Sequence, residues 1–262
     1  MIKLLSLLLL SFGAAAQQAT QPPASQSSQS LTVTVPSTGF PGLDKYRASR
    51  IAVYTDDYGQ LARYRDANAA LKPPAPGENR VVFFGDSITD MWNLGESFTG
   101  KPYVNRGISG QTTSQMLVRF RQDVINLQPK VVVILAGTND IAGNTGPISN
   151  EDIEANLQSI AALARSSHIR VVFASILPVH NYTPQSHEFF AQRPQARILQ
   201  LNDWLKGYCA GSGAVYLDYF SRLVDEKGLL RRELADDGLH PNTAGYAVMA
   251  PLAEQAIEKA LE

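Results

Sequence analysis

Five short apolar runs, separated by helix-like repeats, constrain this chain more than any other feature. The runs are VVFF from Val81, YVN from Tyr103, VVVILA from Val131, RVVFASIL from Arg170 and AVYL from Ala214. Short, uniformly apolar runs of this kind suit strands buried on both faces of a parallel sheet. Between and after them, apolar residues return at three and four. Leu117, Phe120, Val124 and Leu127 make one helical face, and Ile153, Leu157, Ile160 and Ala164 a second. Ile198, Leu201, Leu205 and Tyr208 mark a third, and Tyr246, Met249, Ala253 and Ile257 a fourth. Ser149 followed by Asp152 has the form of a capping box ahead of the second. Strand and helix alternating in this way predict an α/β fold, a three-layer α/β/α sandwich around a parallel five-stranded sheet with right-handed crossovers.

The chain has 262 residues, 44% of them hydrophobic, enough for one substantial core. Its formal net charge of −1 supplies no basic field for a nucleic-acid backbone, so nucleic acid is not an expected partner. Lys3, the apolar residues 4–10 and the small residues Ala14 to Ala16 read as a signal peptide over 1–16, which places the mature protein in the periplasm or outside the cell. That apolar run is shorter than the ~20 residues a spanning helix needs, so stable membrane insertion is not expected. Cys209 is the only cysteine, so no internal disulfide can form. Residues 17–43 contain no charged side chain and are rich in Gln, Ser, Thr and Pro, the composition of a flexible polar tether. An edge strand over the LTVTV run at 31–35 is the alternative. Over 44–77 the spacing of Tyr54, Tyr58, Leu61 and Arg65 predicts a helical extension, ended by Pro73, Pro74 and Pro76, and 78–262 is the expected catalytic domain.

Open α/β sheets collect ligands at the carboxyl ends of their strands. Three polar segments fall there: GDS with Ser87, GISG with Gly110 and GTND with Asn139. A fourth, DDGLHP, carries Asp237 and His240 near the C-terminus. A serine hydroxyl needs a base within hydrogen-bond reach, itself oriented by a third group, and Asp237 with His240 three residues on offers that pair. A tetrahedral oxyanion needs donors placed in advance, which the Gly110 N–H and the Asn139 amide can supply. Each residue also has a plain structural reading. Ser87 suits a helix cap, Gly110 a turn of positive φ, Asn139 an Asx-turn and His240 a surface loop. Their joint occurrence in the order Ser, Gly, Asn, Asp, His favours catalysis.

These segments resemble the consensus blocks of the SGNH hydrolases, also called GDSL-type esterases and lipases, from Val81 to the C-terminus. NRGISGQTT, GTND and DGLHPN are most similar to the branch holding the platelet-activating-factor acetylhydrolase catalytic subunits and their bacterial relatives. The resemblance implies a flavodoxin-like fold. It also implies that Ser87 is the nucleophile and donates its backbone N–H, that Gly110 and Asn139 complete an oxyanion hole, and that His240 is the base with Asp237 behind it. Asp236 is a rival for the acid, and the family's DxxH pattern favours Asp237. FGDSI lacks the GxSxG elbow of the α/β-hydrolases. No cofactor is expected, and because the HExxH and paired-cysteine spacings of metal sites do not occur, no metal is expected either.

Two segments are candidates for substrate contact: MWNLGESF, through Trp92, and the polar, aromatic stretch 177–194, through His180 and Tyr182. The stretch 177–194 reads equally as a partial lid and as a loop that covers the sheet. The expected activity is hydrolysis of short acyl esters, acetyl in particular, of a carbohydrate or another small molecule. The alternatives are a lysophospholipase or thioesterase with the same machinery, and a carbohydrate-binding module that has lost turnover.

Overall fold

Every one of the five apolar runs is a strand: β1 (Val81–Gly85), β2 (Tyr103–Gly107), β3 (Val131–Leu135), β4 (Arg170–Ala174) and β5 (Val215–Leu217). All neighbours pair in parallel in the order β2-β1-β3-β4-β5. The computed structural model describes residues 35–262, which form one unit, so the expected leader over 1–16 and most of the 17–43 tether lie outside the described residues. The helices are α1 (Pro41–Asp56), α2 (Arg65–Ala70), α3 (Ser87–Asp90), α4 (Leu94–Ser97), α5 (Thr113–Asp123) and α6 (Thr138–Ala142). After them come α7 (Asn150–Ser166), α8 (Ser186–Gln192), α9 (Gln195–Ser212), α10 (Phe220–Leu223) and α11 (Thr243–Leu261).

Successive strand side chains point to opposite faces, so an unbroken apolar run feeds two cores at once. Val82, Phe84, Val132, Ile134, Val171 and Phe173 face one layer, where Met116 and Phe120 of α5, Ile153 and Leu157 of α7 and Leu201 of α9 pack on them. Val81, Phe83, Val131, Val133, Val172 and Ala174 face the other, against Ile88 of α3 and Met249, Ala253 and Ile257 of α11. Phe84 is fully buried and stacks edge-on against Phe120, so truncating it to alanine costs about 3–5 kcal/mol. Ser149 caps α7 as its spacing suggests, accepting the Asp152 N–H at 3.1 Å and donating to the Asp152 carboxylate at 2.8 Å. The helical face drawn through Val124 and Leu127 runs past the end of α5: Val124 caps that helix and Leu127 lies in the short 3-10 segment that follows, and both are buried.

The extension departs from the single helix that Tyr54, Tyr58, Leu61 and Arg65 predict. α1 stops at Asp56 because the Asp57 carboxylate takes the backbone N–H groups of Leu61 (2.8 Å) and Ala62 (2.9 Å), offering the chain a turn in place of another helical bond. α1 also starts earlier than composition suggests, with Pro41 in its first turn and Asp44 accepting the Thr38 N–H and hydroxyl, each at 2.7 Å. Among the described residues no helix is long and apolar enough to cross a membrane.

Candidate active site

Because β2 lies on one side of β1 and β3 on the other, the crossovers leave β1 and β3 in opposite directions and open a crevice at their carboxyl ends. Ser87 follows β1 at the start of α3, and Asn139 follows β3 at the start of α6. Asp86, not Ser87, caps α3 by accepting the Ile88 N–H at 3.0 Å, which leaves the serine hydroxyl free of structural duty.

Ser87 Oγ lies 2.9 Å from His240 Nε2, and His240 Nδ1 lies 2.6 Å from Asp237 Oδ2. The other Asp237 oxygen accepts the backbone N–H groups of Leu239 (3.0 Å) and His240 (2.8 Å). Burial works against the Asp237 charge, but these donors together with the His240 ring N–H hold the carboxyl well below its usual range. An ionised Asp237 fixes the imidazole proton on Nδ1, so Nε2 faces the hydroxyl as an acceptor. Asp236 instead accepts the Asn242 amide at 3.1 Å, and Asn242 is the N-cap of α11. Gly238 holds this turn at φ +87°, and a Cβ there would clash with Ser186 Cβ and meet His180 O at 2.8 Å.

Gly110 has φ +79°, and its carbonyl accepts from Asn144 Nδ2 (2.9 Å) and the Tyr46 hydroxyl (3.3 Å), which turns the peptide at one wall of the crevice. Among the described residues neither its N–H nor that of Ser87 has an acceptor. Asn139 Nδ2 donates one hydrogen to Gln111 O at 3.1 Å, and its Oδ1 accepts from Arg193 Nη2 at 3.4 Å. The loops are tied to each other. Asp90 accepts the Ser109 N–H (3.1 Å) and hydroxyl (2.6 Å), while Asp140 accepts the Thr113 N–H (3.0 Å) and hydroxyl (2.6 Å). Beneath them the fully buried Arg119 pairs with Asp123 at 3.0 Å and donates to the carbonyls of Gly85 and Arg106 at the ends of β1 and β2. Burial pushes the Asp86 and Asp140 carboxyls up to about 6 and brings the Arg193 guanidinium down to about 10.

Ser87, Gly110, Asn139 and His240 line one cavity of about 590 Å³. Trp92, His180 and Tyr182, expected at the substrate, do not line it. Trp92 is buried in an aromatic cluster with Phe83, Phe98, Tyr219 and Tyr246, its ring N–H donating to Ser97. His180 is fully buried behind the Asp237 turn, where its N–H donates to Gly238 O at 3.0 Å and its Nε2 to Ala235 O at 3.1 Å. Tyr182 stacks on His180 and gives its hydroxyl to Asp225. The stretch 177–194 still reaches the cavity, through Glu188, Phe189 and Arg193, and the Phe189 ring stands edge-on to His240 at 6.2 Å between centroids. Tyr46 and Arg50 of α1 complete the wall. Sequence reasoning missed both, and the signal that would have found them is their separation of four on one helix face. Among the described residues no three of His, Cys, Asp and Glu gather closely enough to hold a metal ion.

Residues 83–248 match the model of the GDSL-like Lipase/Acylhydrolase family. A crystal structure of a GDSL-like lipase from Bacteroides thetaiotaomicron is 40% identical, covers 78% of this chain and 100% of that one, and superposes with a TM-score of 0.72. The acetylxylan esterase of Geobacillus stearothermophilus is 27% identical over 65% of this chain and 90% of its own length. The platelet-activating factor acetylhydrolase IB subunit alpha2 of Gallus gallus is 27% identical over 56% of this chain and 69% of its own. An uncharacterized lipoprotein of Bacillus subtilis is 30% identical over 47% of this chain, and the matched part spans 59% of that protein. Sheet order, the crevice at the ends of β1 and β3 and these likenesses agree: the chain belongs to the GDSL-like lipase/acylhydrolase family and is an ester hydrolase.

Proposed function

We propose that this hydrolase is a serine esterase that removes short acyl groups, acetyl above all, from a carbohydrate or another small hydroxylated molecule. The observation that carries the reading is the continuous relay from Ser87 Oγ to His240 Nε2 (2.9 Å) and from His240 Nδ1 to Asp237 (2.6 Å), set in a cavity wide enough for a sugar. His240 takes the Ser87 proton as the oxygen attacks the ester carbonyl, and Asp237 stabilises the imidazolium. The carbonyl oxygen becomes an anion and meets the N–H groups of Ser87 and Gly110 and the second hydrogen of the Asn139 amide. Collapse of this intermediate expels the alcohol, which takes the proton from His240 and leaves an acyl-enzyme on Ser87. Water, deprotonated by the same imidazole, then releases the acid and restores the serine. The short acyl preference is supported by Phe189 standing close against His240, by polar cavity residues such as Ser109, Asn144 and Gln185, and by the likeness to an acetylxylan esterase.

A series of chromogenic esters of rising acyl length tests this reading. We expect a maximum at acetyl or propionyl, with labelling of Ser87 by a fluorophosphonate. A maximum at long chains replaces it with a lysophospholipase or thioesterase, and failure to label leaves the carbohydrate-binding alternative. The same proposal puts this activity outside the cytoplasm, a reading supported by the signal-peptide pattern of Lys3 and Ala14 to Ala16. Recovery of the protein outside the cytoplasm with Gln17 as its first residue supports that placement, and an intact Met1 in the cytoplasmic fraction defeats it.

A further inference from the structure

Tyr46, Arg50 and Tyr54 recur every four residues along α1 and so share one ridge of that helix. The first two line the cavity that holds Ser87 and His240. The Arg50 guanidinium is steadied at two points: Nη2 donates to Gln60 Oε1 at 2.7 Å, and Cζ lies 6.0 Å from the centre of the Tyr54 ring. Gln60 sits in the turn that the Asp57 carboxylate closes. Among the described residues Arg50 pairs with no carboxylate, and Nη1 donates to no acceptor. The other charged residues lining the cavity, besides His240, are Arg193 and Glu188. Glu188 already accepts the Leu43 N–H (3.0 Å) and the Gln192 amide (2.8 Å). The lining therefore carries two guanidiniums to one carboxylate, and a guanidinium stays charged throughout the physiological range.

We propose that Arg50 is an anion subsite, and that the natural ester carries a carboxylate or phosphate group that docks on it while the acyl group sits at Ser87. The Arg50 Nε is buried without a partner, so the guanidinium, held by Gln60 through one Nη2 hydrogen, offers an anion its Nη1 hydrogens and the second Nη2 hydrogen, the end-on pair of nitrogens that a carboxylate or phosphate can bridge. The substrate is then an acylated acidic sugar or sugar phosphate in place of a neutral one. This inference rests on the esterase reading of the same cavity.

Binding and turnover separate the two. Titration calorimetry of the Ser87→Ala protein with glucuronate, glucose 6-phosphate and glucose reads the subsite without turnover. We expect at least one of the two anions to bind about tenfold or more tightly than glucose, the scale of a charge-assisted hydrogen bond, with the tighter of the two naming the anion class. The advantage should vanish in Ser87→Ala/Arg50→Gln and return in part in Ser87→Ala/Arg50→Lys. On the wild-type enzyme, kcat/KM for acetylated glucuronic acid should exceed that for its methyl ester, chiefly through KM. Equal binding of all three ligands, or an anion advantage that survives Arg50→Gln, overturns the subsite. A wild-type protein that fails to hydrolyse p-nitrophenyl acetate would instead strike the esterase reading, while the calorimetry would still support or overturn the subsite by itself.

Discussion

At the scale of single residues, Ser87 and Arg193 have separable roles. Ser87 has the His240 ring as its side-chain partner, while the cap of α3 is Asp86, so the hydroxyl contributes little to folding. Ser87→Ala should lower kcat by a factor of ~10⁴ or more with the melting temperature nearly unchanged. Asp237→Asn should come close to that loss, about 10⁴-fold, because the amide reverses which imidazole nitrogen carries the proton. Steady-state kinetics beside calorimetry check both, and a large drop in stability for Ser87→Ala would return the residue to a structural role. On the proposed mechanism Arg193 acts as a positioning residue. It is 3% exposed and donates to Thr138 Oγ1 at 2.9 Å as well as to Asn139 Oδ1, so it holds the GTND turn from behind. Arg193→Gln should cut kcat about tenfold, below the ~10²–10³ expected for losing the Asn139 amide itself, with KM little changed. Because the two residues act on one group, the Arg193→Gln/Asn139→Ala pair should cost little more than Asn139→Ala alone. Full additivity would show that Arg193 acts elsewhere.

At the scale of elements, the parts legible in the sequence are those decided by local pattern. Strand runs such as VVFF and VVVIL have no polar residue to expose, so a doubly covered parallel sheet was their one economical outcome, and the polar segments after β1 and β3 fell at its carboxyl edge. Ser87, Gly110, Asn139, Asp237 and His240 were legible because each motif is contiguous. The cavity wall was not, because it depends on two helices 145 residues apart in the chain meeting: Glu188 of α8 accepts the Leu43 N–H in the first turn of α1. Aromatic character misled as well. Trp92 and Tyr182 looked like substrate contacts, yet a large ring is as readily spent on core packing, as in the stack of Trp92 on Tyr246. The clasp gives an element-scale prediction. Glu188→Ala leaves a first-turn N–H without its carboxylate, which should cost about 1–2 kcal/mol and loosen α1 over the cavity. KM should rise severalfold while kcat changes less, and limited proteolysis should cut first within 41–56. An unchanged KM would show that α1 keeps its place without the clasp.

For the whole molecule, the same sheet edge that concentrates chemistry concentrates electrostatic cost. Asp86 and Asp140 are buried at the ends of β1 and β3, and desolvation lifts both to about 6. One Asp86 oxygen has no hydrogen-bond partner among the described residues. Each is therefore ionised at neutral pH at a cost of about 3 kcal/mol relative to an unfolded aspartate. The sign follows from proton counting: between about pH 4 and pH 6 the native state binds these protons and the unfolded chain does not, so stability falls as pH rises. Asp237, with its carboxyl held low, works in the other direction. Its contribution is complete above the ordinary aspartate range and is lost as acid protonates it, together with Asp44, Glu78 and Asp225, whose carboxyls are also lowered. The melting temperature should thus peak in mild acid, near pH 4–5, and decline toward neutrality. Activity should run the opposite way, rising with pH, because His240 can accept the Ser87 proton only as a neutral imidazole. The enzyme then works where its fold is not at its most stable. Asp140→Asn should flatten the decline above pH 5 by removing one of the two groups, since an amide oxygen can still accept the Thr113 hydroxyl. Differential scanning calorimetry from pH 3.5 to pH 8, run beside pH–rate profiles of both proteins, checks the claim. A wild-type melting temperature that climbs steadily to pH 7, or a decline that Asp140→Asn leaves intact, would show that the cost lies with other groups.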